Sequence, residues 1–559
     1  MFVAQDPGLV PFDNDSCARY RAAGIWTGRT LPAELSAAAE ANAGRIALVT
    51  ADGSWTYASL FEQAGDLARG LASRLGLQPG DPVMFQMGNV AETVIAYLGC
   101  LLAGARPVCT LPQHGTREIG LLAEHVGARF LISQADFAGG RVLGQAEQLL
   151  KDGLLENVII ARGTAFPGAV SYDEILQAGA ASTEPLPYLA QDPMQIAVFQ
   201  LSGGTTGLPK VAPRLHEEYA YNARAWAESL DYGPESVLLY SLPIMHNAGI
   251  ALALQPAILA GSTLVLAPSA DIDLLLDLVE THRPDVLPLM PPAVVIRLLE
   301  SPRARRTDLS SIKHFIVGGQ RLPVEIAERL RDELAIPVRQ MFGMAEGMFL
   351  VTPAGTSEQV SHHTVGAPIS AYDEIRILEP GTDREIEDGQ VGELAARGPY
   401  TIRGYYRAER HNQSSFTADG FYRTGDLSCR HVTAEGCFYS IDGRIKDVIN
   451  RGVEKIHAEE IEELIVRHPD VTTAALVAMP DPVLGEKACA YLVMEPDRKP
   501  LTVASLTAHL LKYGLAKYKL PERVEIVPAF PLTNVGKVAK KELRADIEHK
   551  LNEGPGVVL

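Results

Sequence analysis

Short apolar runs alternate with longer amphipathic runs along most of this chain, and this alternation constrains the fold more than any other feature. A helical pattern over 60–75 is followed by the strand-like run DPVMFQM (81–87), and a second helical pattern over 91–103 is followed by RPVCTL (106–111). Such alternation is typical of parallel sheets covered by helices. With 559 residues the chain is also too long for one hydrophobic core. We therefore predict an α/β protein of at least two domains, the larger with mixed or parallel sheets.

The alternation of short apolar and longer amphipathic runs changes after about Tyr439. The stretch SIDGRIKDVINRG (440–452) is short, charged and interrupted by glycine, as interdomain linkers are. Beyond it, AEEIEELIVRHP (458–469) predicts a helix, two strand-like runs follow, and TVASLTAHLLKYG (502–514) predicts a second helix that ends at Gly514. We place the domain boundary at Gly443, with residues 1–443 forming a large N-terminal domain and residues 444–559 a small α+β domain.

Charge and cysteine content exclude several classes of protein. The net charge is −18, so the surface as a whole should repel nucleic acids and anionic membranes, and an anionic ligand needs a local cluster of donors. Six cysteines without a C-x-x-C pair favour a reducing compartment over a disulfide framework or a zinc site. The N-terminus MFVAQDPGLVPFDNDS does not have the pattern of a signal peptide. We expect a cytoplasmic protein.

One uncharged segment, residues 248–270, is long enough to cross a bilayer. It contains Gln255, Pro256 and Gly261, which do not suit a membrane span. The pattern instead predicts a buried helix to about Ala260, a turn at Gly261-Ser262, and a buried strand from 263 to 266.

The stretch LSGGTTGLPK (201–210) is a candidate phosphate-binding loop. It follows the strand-like VFQ and supplies glycines, hydroxyl groups and a lysine, which permit close backbone approach and donate hydrogen bonds. An ordinary flexible loop is the alternative. Gly203 and Gly207 are four residues apart, so the loop is not the G-x-x-x-x-G-K-[ST] loop of ATPases, and that class is excluded.

Four further stretches, taken in order, carry a family resemblance. They are MFGMAEG (341–347), FYRTGDL (421–427), GRIKDVINRG (443–452) and LTNVGKVAKKEL (532–543). Together with the glycine loop they resemble the signature motifs of the adenylate-forming superfamily. GPYTIRGYY (398–406), FTADGFYRTGD (416–426) and LPIMHN (242–247) resemble more narrowly the aryl acid–AMP ligases of siderophore and nonribosomal peptide biosynthesis. The resemblance covers nearly the whole chain.

The resemblance implies an enzyme, ATP and Mg²⁺ as cofactors, and two half-reactions. An aromatic carboxylic acid would be converted to an acyl-adenylate with release of pyrophosphate. The acyl group would then pass to the phosphopantetheine thiol of an aryl or peptidyl carrier protein. Coenzyme A is the alternative acceptor, and a nucleotide-binding protein without turnover is a third hypothesis.

The resemblance also assigns residues to the nucleotide site. Lys537 would bridge the carboxylate and phosphate, while neighbouring Lys540 and Lys541 are expected to be solvated. Glu346 would hold magnesium, and Lys446 would be the hinge of a mobile C-terminal domain. The remaining candidates for ATP binding are Ser202, Gly203, Gly204, Thr205, Thr206, Lys210, Gly318, Gly319, Gln320, Phe342, Gly343, Met344, Asp426 and Arg444.

The acid pocket is expected around His246 and Asn247. In the resembled enzymes this histidine lies near the carboxylate and this asparagine faces the ortho-hydroxyl, although a His-Asn pair is often structural. Met341, Gly343, Ala251 and Leu252 would complete the pocket.

The pocket segment departs from the pattern. The resembled ligases read H-N-Y-P-L-S-S-P-G, whereas this chain reads HNAGIALALQP, and neither Ala251 nor Leu252 can donate to a 3-hydroxyl. An unpaired buried hydroxyl costs ~1–3 kcal/mol. We therefore expect a salicylate-like or hydroxylated aza-aryl acid rather than 2,3-dihydroxybenzoate.

The linker departs as well. Val453 replaces the second glycine of the common R-G-G-E-K, where it either narrows the passage for the pantetheine arm or is accommodated.

Overall fold

A computed structural model describes residues 6–202, 209–320, 322–451, 454–481, 484–513, 515, 517–533 and 537–552. The chain divides into two compact units. The first unit comprises Met1–Gly318, Val324–Glu374 and Ala396–Tyr422, and the second comprises Gly319–Pro323, Ile375–Ala395 and Arg423–Leu559.

The α-helices of the described residues are α1 (Asn14–Ala22), α2 (Leu31–Ala41), α3 (Tyr57–Leu75), α4 (Ala91–Leu102), α5 (Thr116–Val126), α6 (Arg141–Lys151), α7 (Tyr172–Ala180), α8 (His216–Ser229), α9 (Gln255–Ala260), α10 (Ile272–His282), α11 (Pro292–Glu300), α12 (Val324–Leu334), α13 (Glu358–His363), α14 (Glu409–Ser415), α15 (Ala458–Val466), α16 (Val503–Leu511) and α17 (Lys540–Asn552). A π-helix, Gly249–Leu254, precedes α9, and short 3₁₀ turns cover Phe137–Gly140, Pro187–Ala190, Ile445–Asp447 and Lys517–Lys519.

The strands are β1 (Ile46–Thr50), β2 (Gly53–Thr56), β3 (Pro82–Gln86), β4 (Arg106–Val108), β5 (Phe130–Gln134), β6 (Asn157–Ala161), β7 (Val170–Ser171), β8 (Ile196–Ser202), β9 (Lys210–Leu215), β10 (Val237–Tyr240), β11 (Thr263–Leu266), β12 (Val286–Met290), β13 (His314–Gly318), β14 (Val338–Gly343), β15 (Phe349–Val351), β16 (Ala367–Pro368), β17 (Glu374–Leu378), β18 (Val391–Arg397), β19 (Tyr422–Thr433), β20 (Gly436–Arg444), β21 (Val448–Arg451), β22 (Glu454–His457), β23 (Val471–Asp481), β24 (Gly485–Met494) and β25 (Arg523–Ile526).

Two large sheets organise the first unit. One has nine strands in the order β16-β15-β14-β13-β12-β10-β11-β1-β2, with parallel pairing from β14 to β1 and antiparallel strands at its edges. The other has seven strands in the order β7-β6-β5-β3-β4-β8-β9, and the pairing of β8 with β9 is antiparallel. The prediction of mixed sheets covered by helices is confirmed.

Helix α3 shows how local sequence sets these elements. The Thr56 side chain accepts a hydrogen bond from the Ser59 amide and caps the first turn, and Gly76 ends the helix in the left-handed conformation, φ 67°. Gly70 then allows α3 to pack closely on α7, because a Cβ atom there would lie 2.0 Å from the Ile175 carbonyl oxygen. The two caps thus fix the ends of α3, and the close approach at Gly70 packs it against α7.

The second unit contains a five-stranded sheet in the order β22-β21-β24-β23, with β25 beside β24, and most of the four-stranded sheet β17-β18-β19-β20. Its core is formed by apolar side chains of the predicted helices and strands: Ile461, Ile465, Leu476, Leu492, Leu506 and Leu510. Lys540, expected to be solvated, is instead mostly buried, and its ammonium lies 2.7 Å from Glu462 Oε1. The ion pair compensates for the burial of its charge.

Two segment predictions have different outcomes. Residues 248–270 form the π-helix, α9, a left-handed turn at Gly261 and β11, as predicted. No helix in the described ranges is long and apolar enough to cross a membrane. The stretch 440–452 was expected to be a linker, but β20 continues to Arg444 and β21 runs from Val448 to Arg451. Pairing with β19 and β22 orders residues 440–444 and 448–451, although the glycines and charges of the stretch suggest a linker.

Candidate functional site

The glycine-rich loop joins two paired strands. Ser202 is the last residue of β8 and is paired in register with Lys210, the first residue of β9. The predicted strand before the loop is therefore present. Gly203, Gly204, Thr205 and Thr206 lie outside the described residues, and their predicted roles remain predictions.

Glu346 lies at the centre of a buried polar cluster in the first unit. It follows β14 in a turn, and its side chain is buried. The Tyr405 hydroxyl donates to Glu346 Oε1, the Tyr422 hydroxyl does so at 3.2 Å, and the two hydroxyls lie 2.8 Å apart. The Ile402 amide donates to the Glu346 carbonyl oxygen at 2.8 Å. Both the carboxylate and the backbone of Glu346 are thus held in place.

Lys210 belongs to the same cluster. Its ammonium nitrogen lies 5.0 Å from the centroid of the Tyr405 ring, a cation–π contact. Partial burial lowers the pKa of Lys210, while the charge of Glu346 acts in the opposite direction. The Tyr405 ring therefore contacts the Lys210 ammonium, while the Tyr405 hydroxyl contacts the Glu346 carboxylate. Both contacts lie near the end of the glycine-rich loop, because Lys210 is its last residue.

Asn247 links the predicted acid segment to the segment before Glu346. It is buried, its Oδ1 accepts from the Tyr219 hydroxyl at 3.2 Å, and its Nδ2 donates to the Met344 carbonyl oxygen at 3.4 Å. His246, the preceding residue, is half-buried, and its Nδ1 accepts from the Ala248 amide at 3.2 Å. The structure thus brings two separately predicted motifs into direct contact.

Met341 packs between two glycines of the predicted site. A Cβ atom on Gly318 would lie 2.7 Å from Met341 Cγ and Sδ, and one on Gly343 would lie 2.5 Å from the Phe349 ring. Met341 is buried, Phe342 is half-buried and Gly343 is exposed. Gly318 therefore leaves room on β13 for Met341 of β14, and Gly343 leaves room on β14 for Phe349 of β15.

Ala251 and Leu252 lie in the π-helix and are both buried. The Leu252 carbonyl oxygen accepts from Trp226 Nε1 at 3.1 Å and from the Tyr232 hydroxyl at 3.3 Å. Their predicted place in the acid pocket remains a prediction.

The second unit holds the remaining candidates. Asp426 on β19 is buried and faces Arg444 on β20, with Arg444 Nε 2.8 Å from Asp426 Oδ1. Gly319 adopts a left-handed conformation, φ 85°, and Gln320 is exposed. The β19–β20 pairing brings Asp426 and Arg444 together although the sequence treated them separately.

Lys537 is half-buried in the second unit, and its amide donates to Thr533 Oγ1 at 3.1 Å. Lys446 lies in the 3₁₀ turn Ile445–Asp447, and its side chain is outside the described part of the chain. Val453 and Gly514 also lie outside it. The roles predicted for these residues remain predictions.

Comparison with known proteins identifies the family. The AMP-binding enzyme family matches residues 35–406, and the AMP-binding enzyme C-terminal domain matches residues 460–537. The chain belongs to the AMP-binding enzyme family. The predicted boundary at Gly443 lies between the two matched ranges and remains a prediction.

This AMP-binding enzyme is similar to characterised relatives over nearly its whole length. It is 38% identical to a 2,3-dihydroxybenzoate-AMP ligase of Bacillus subtilis, covering 98% of this chain and 99% of that protein. It is 37% identical to a salicyl-AMP ligase / salicyl-S-ArCP synthetase of Mycobacterium tuberculosis, covering 96% and 94%. The apo structure of MbtA from Mycobacterium smegmatis superposes with a TM-score of 0.73 at 36% identity, covering 96% and 98%. The resemblance to aryl acid–AMP ligases is confirmed.

Several site residues of this AMP-binding enzyme were not predicted. Tyr405 and Tyr422 contact Glu346, and Tyr219 contacts Asn247. Tyr405 lies in the motif GPYTIRGYY and Tyr422 in FYRTGDL, so both belong to recognised motifs, but no role was predicted for either. Tyr219 follows the acidic pair Glu217-Glu218 on α8 and carried no signal of its own.

Proposed function

We propose that the protein is an ATP-dependent aryl acid–AMP ligase that transfers its acyl group to a carrier-protein thiol. The carboxylate oxygen of the acid attacks the α-phosphorus of ATP, the bond to pyrophosphate breaks, and an aryl adenylate forms. The phosphopantetheine sulfur then attacks the acyl carbon and releases AMP. The observation that carries this proposal is the hydrogen bond of Asn247 to the Met344 carbonyl, which joins the acid segment to the nucleotide segment.

The first unit offers groups for the triphosphate. Ser202 and Lys210, with Gly203, Gly204, Thr205 and Thr206, are proposed to cradle the phosphates. Lys210 suits this role because it adjoins the loop and its ammonium packs on the Tyr405 ring. Phe342 and Gly343 are proposed to contact the adenine.

Magnesium is proposed to bind beside Glu346. Mg²⁺ prefers hard oxygen ligands and often uses one carboxylate together with substrate phosphates. A single carboxylate fits that preference, and no group of three or more His, Cys, Asp or Glu side chains suited to a metal occurs in the described ranges. The ion would neutralise charge on the phosphates. Tyr405 and Tyr422 would orient the carboxylate that holds it.

The second unit supplies the other proposed groups. Asp426 and Arg444 would contact the ribose, and Gly319 and Gln320 the adenine. Lys537 would neutralise the two reacting anions in the transition state, and Lys446 would be the hinge between the half-reactions. Each role follows from the motif position.

For the acid, we propose an aromatic ring with one ortho hydrogen-bonding group. The apolar side chains of Ala251 and Leu252 give no partner to a 3-hydroxyl, although two relatives are named for 2,3-dihydroxybenzoate. A salicylate-like or aza-aryl acid is therefore favoured, with His246 near its carboxylate and Met341 beside the ring.

The test is ATP–pyrophosphate exchange over a panel of aryl acids. We expect exchange with 2-hydroxybenzoate or an aza-aryl acid, with a higher kcat/KM than for 2,3-dihydroxybenzoate. Lys537→Ala should lower exchange by on the order of 10²-fold, the scale for losing one electrostatic stabiliser. Absence of exchange with every acid would support a non-catalytic nucleotide-binding protein instead. A clear preference for 2,3-dihydroxybenzoate would contradict the pocket assignment alone.

Coenzyme A is a second candidate acceptor. The observation that favours it is 38% identity to a salicylyl-CoA synthase / salicylate adenylyltransferase of a Streptomyces species, covering 97% of this chain and 98% of that protein. Thioester formation from the preformed adenylate should be compared with coenzyme A and with a phosphopantetheinylated carrier protein. Faster transfer to coenzyme A would replace the carrier protein in the proposal.

A further inference from the structure

A row of buried polar side chains fixes the orientation of the Asn247 amide. Tyr219 on α8 is completely buried, and its hydroxyl accepts from Gln200 Nε2 at 2.9 Å and donates to Asn247 Oδ1 at 3.2 Å. Asn247 Nδ2 donates to the Met344 carbonyl at 3.4 Å. A carbonyl oxygen only accepts, so the amide nitrogen must face Met344 and the amide oxygen must face Tyr219.

Arg214 contacts both the Tyr219 ring and the backbone next to Met344. Its guanidinium carbon lies 4.2 Å from the centroid of the Tyr219 ring, and it donates to both carboxylate oxygens of Glu218, at 3.0 and 2.9 Å. It also donates to the Ala345 carbonyl oxygen at 3.2 Å. The Tyr219 ring and the backbone next to Met344 are therefore held by the same buried cation.

We propose that Tyr219 is a positioning residue for acid recognition, which fixes the Asn247 amide so that the enzyme selects aromatic acids with a hydrogen-bonding group ortho to the carboxylate. The proposal rests on the proposed function, in which Asn247 faces that position. Within the described residues, Asn247 makes two side-chain hydrogen bonds, which leave one N–H and one oxygen lone pair for a ligand. A fixed amide offers these in set directions, whereas a freely rotating amide discriminates less.

The experiment is a double-mutant cycle between Tyr219 and Asn247, measured by ATP–pyrophosphate exchange. Tyr219→Phe removes the hydroxyl and keeps the ring against Arg214. For each variant, kcat/KM is measured for the best acid of the panel and for its analogue without the ortho group, with 2-hydroxybenzoate and benzoate as the reference pair. Tyr172→Phe is the control, because the buried Tyr172 hydroxyl has no hydrogen-bond partner in the described part of the chain.

The selectivity ratio is kcat/KM for the acid with the ortho group divided by kcat/KM for its analogue without that group. We expect Tyr219→Phe to lower this ratio roughly fivefold, the scale of one net hydrogen bond. The KM for ATP should stay within about twofold of wild type, because the hydroxyl has no contact with Lys210 or Glu346. In an Asn247→Ala background the same substitution should leave the ratio unchanged, because the amide it orients is gone. Tyr172→Phe should keep the wild-type ratio.

An unchanged ratio in Tyr219→Phe would overturn the proposal, and so would an equal loss for both acids, which would indicate a structural role only. If Tyr219→Phe fails to fold, Gln200→Leu removes the donor that holds the hydroxyl, and a smaller fall of the same ratio is expected. A wild-type enzyme without exchange for any aryl acid refutes the proposed function itself. A wild-type enzyme that is active but shows no change in the variant refutes only the role of Tyr219.

Discussion

At the scale of single residues, the structure contains a buried acid that no sequence pattern indicated. The Asp373 carboxyl is buried, the Tyr400 hydroxyl donates to its Oδ2, and Oδ1 has no partner at hydrogen-bonding geometry among the described residues. Gly398 makes room for this carboxyl, because a Cβ atom there would lie 2.2 Å from Oδ1. Burial raises the pKa of Asp373 to about 8 from its ordinary value of 3.8.

This pKa shift predicts the pH dependence of stability. Between about pH 4 and pH 8 the folded protein keeps the proton on Asp373 and the unfolded chain loses it, so the free energy of unfolding falls as pH rises through this range. Asp373→Asn mimics the protonated carboxyl and removes that loss. We expect the wild type to lose up to about 1.4 kcal/mol per pH unit relative to the variant.

Denaturant unfolding at pH 5, 6.5 and 8 checks this, with the exposed Asp15→Asn as the control. If the free energy of unfolding changes with pH in the same way for the wild type and Asp373→Asn, the carboxyl is ionised in the folded protein from pH 5 to pH 8.

At the scale of elements, the π-helix Gly249–Leu254 depends on its first residue. A Cβ atom on Gly249 would lie 2.2 Å from the Ile244 carbonyl oxygen, which is backbone and cannot rotate away. Gly249→Ala should therefore displace the segment that carries His246 and Asn247. Forcing extra atoms into a packed site costs ~1–3 kcal/mol.

We expect Gly249→Ala to lower the free energy of unfolding by that amount and to raise the KM for the acid. Gly233→Ala is the matched control, because a Cβ atom there meets open space. The free energy of unfolding and the KM for the acid are measured for both variants. If Gly249→Ala keeps the wild-type KM for the acid, the π-helix does not shape the acid site.

At the scale of the whole molecule, the proposed function requires two half-reactions with different demands on the linker. Val453 lies outside the described residues, at the position that commonly holds glycine in the motif. If its side chain narrows the pantetheine passage, Val453→Gly should speed carrier-protein loading and leave pyrophosphate exchange nearly unchanged. Glycine also loosens the backbone by ~0.5–1 kcal/mol, so the gain need not be large.

Rapid-quench measurement of both half-reactions tests this prediction. Equal loading rates in wild type and variant would show that the passage accommodates valine, and slower exchange in the variant would place Val453 in adenylation instead.

The amino-acid sequence by itself determined the α/β class, the helix–turn–strand order of residues 248–270, and the ordered motifs that identify the family. These depend on periodicity, capping and turn residues, which are properties of near neighbours in the chain. It also indicated Lys210, Asn247 and Glu346 as separate candidates, because each lies in a recognisable motif.

Only the tertiary structure decided what surrounds those candidates. The hydroxyls of Tyr405 and Tyr422 reach Glu346 from 59 and 76 residues away, and the hydroxyl of Tyr219 reaches Asn247 from 28 residues away. Such contacts depend on strand order and helix packing, which no local pattern specifies. In the stretch 440–451, local signals suggest a linker, but β20 and β21 pair with the neighbouring strands β19 and β22, and β21 also pairs with the more distant β24.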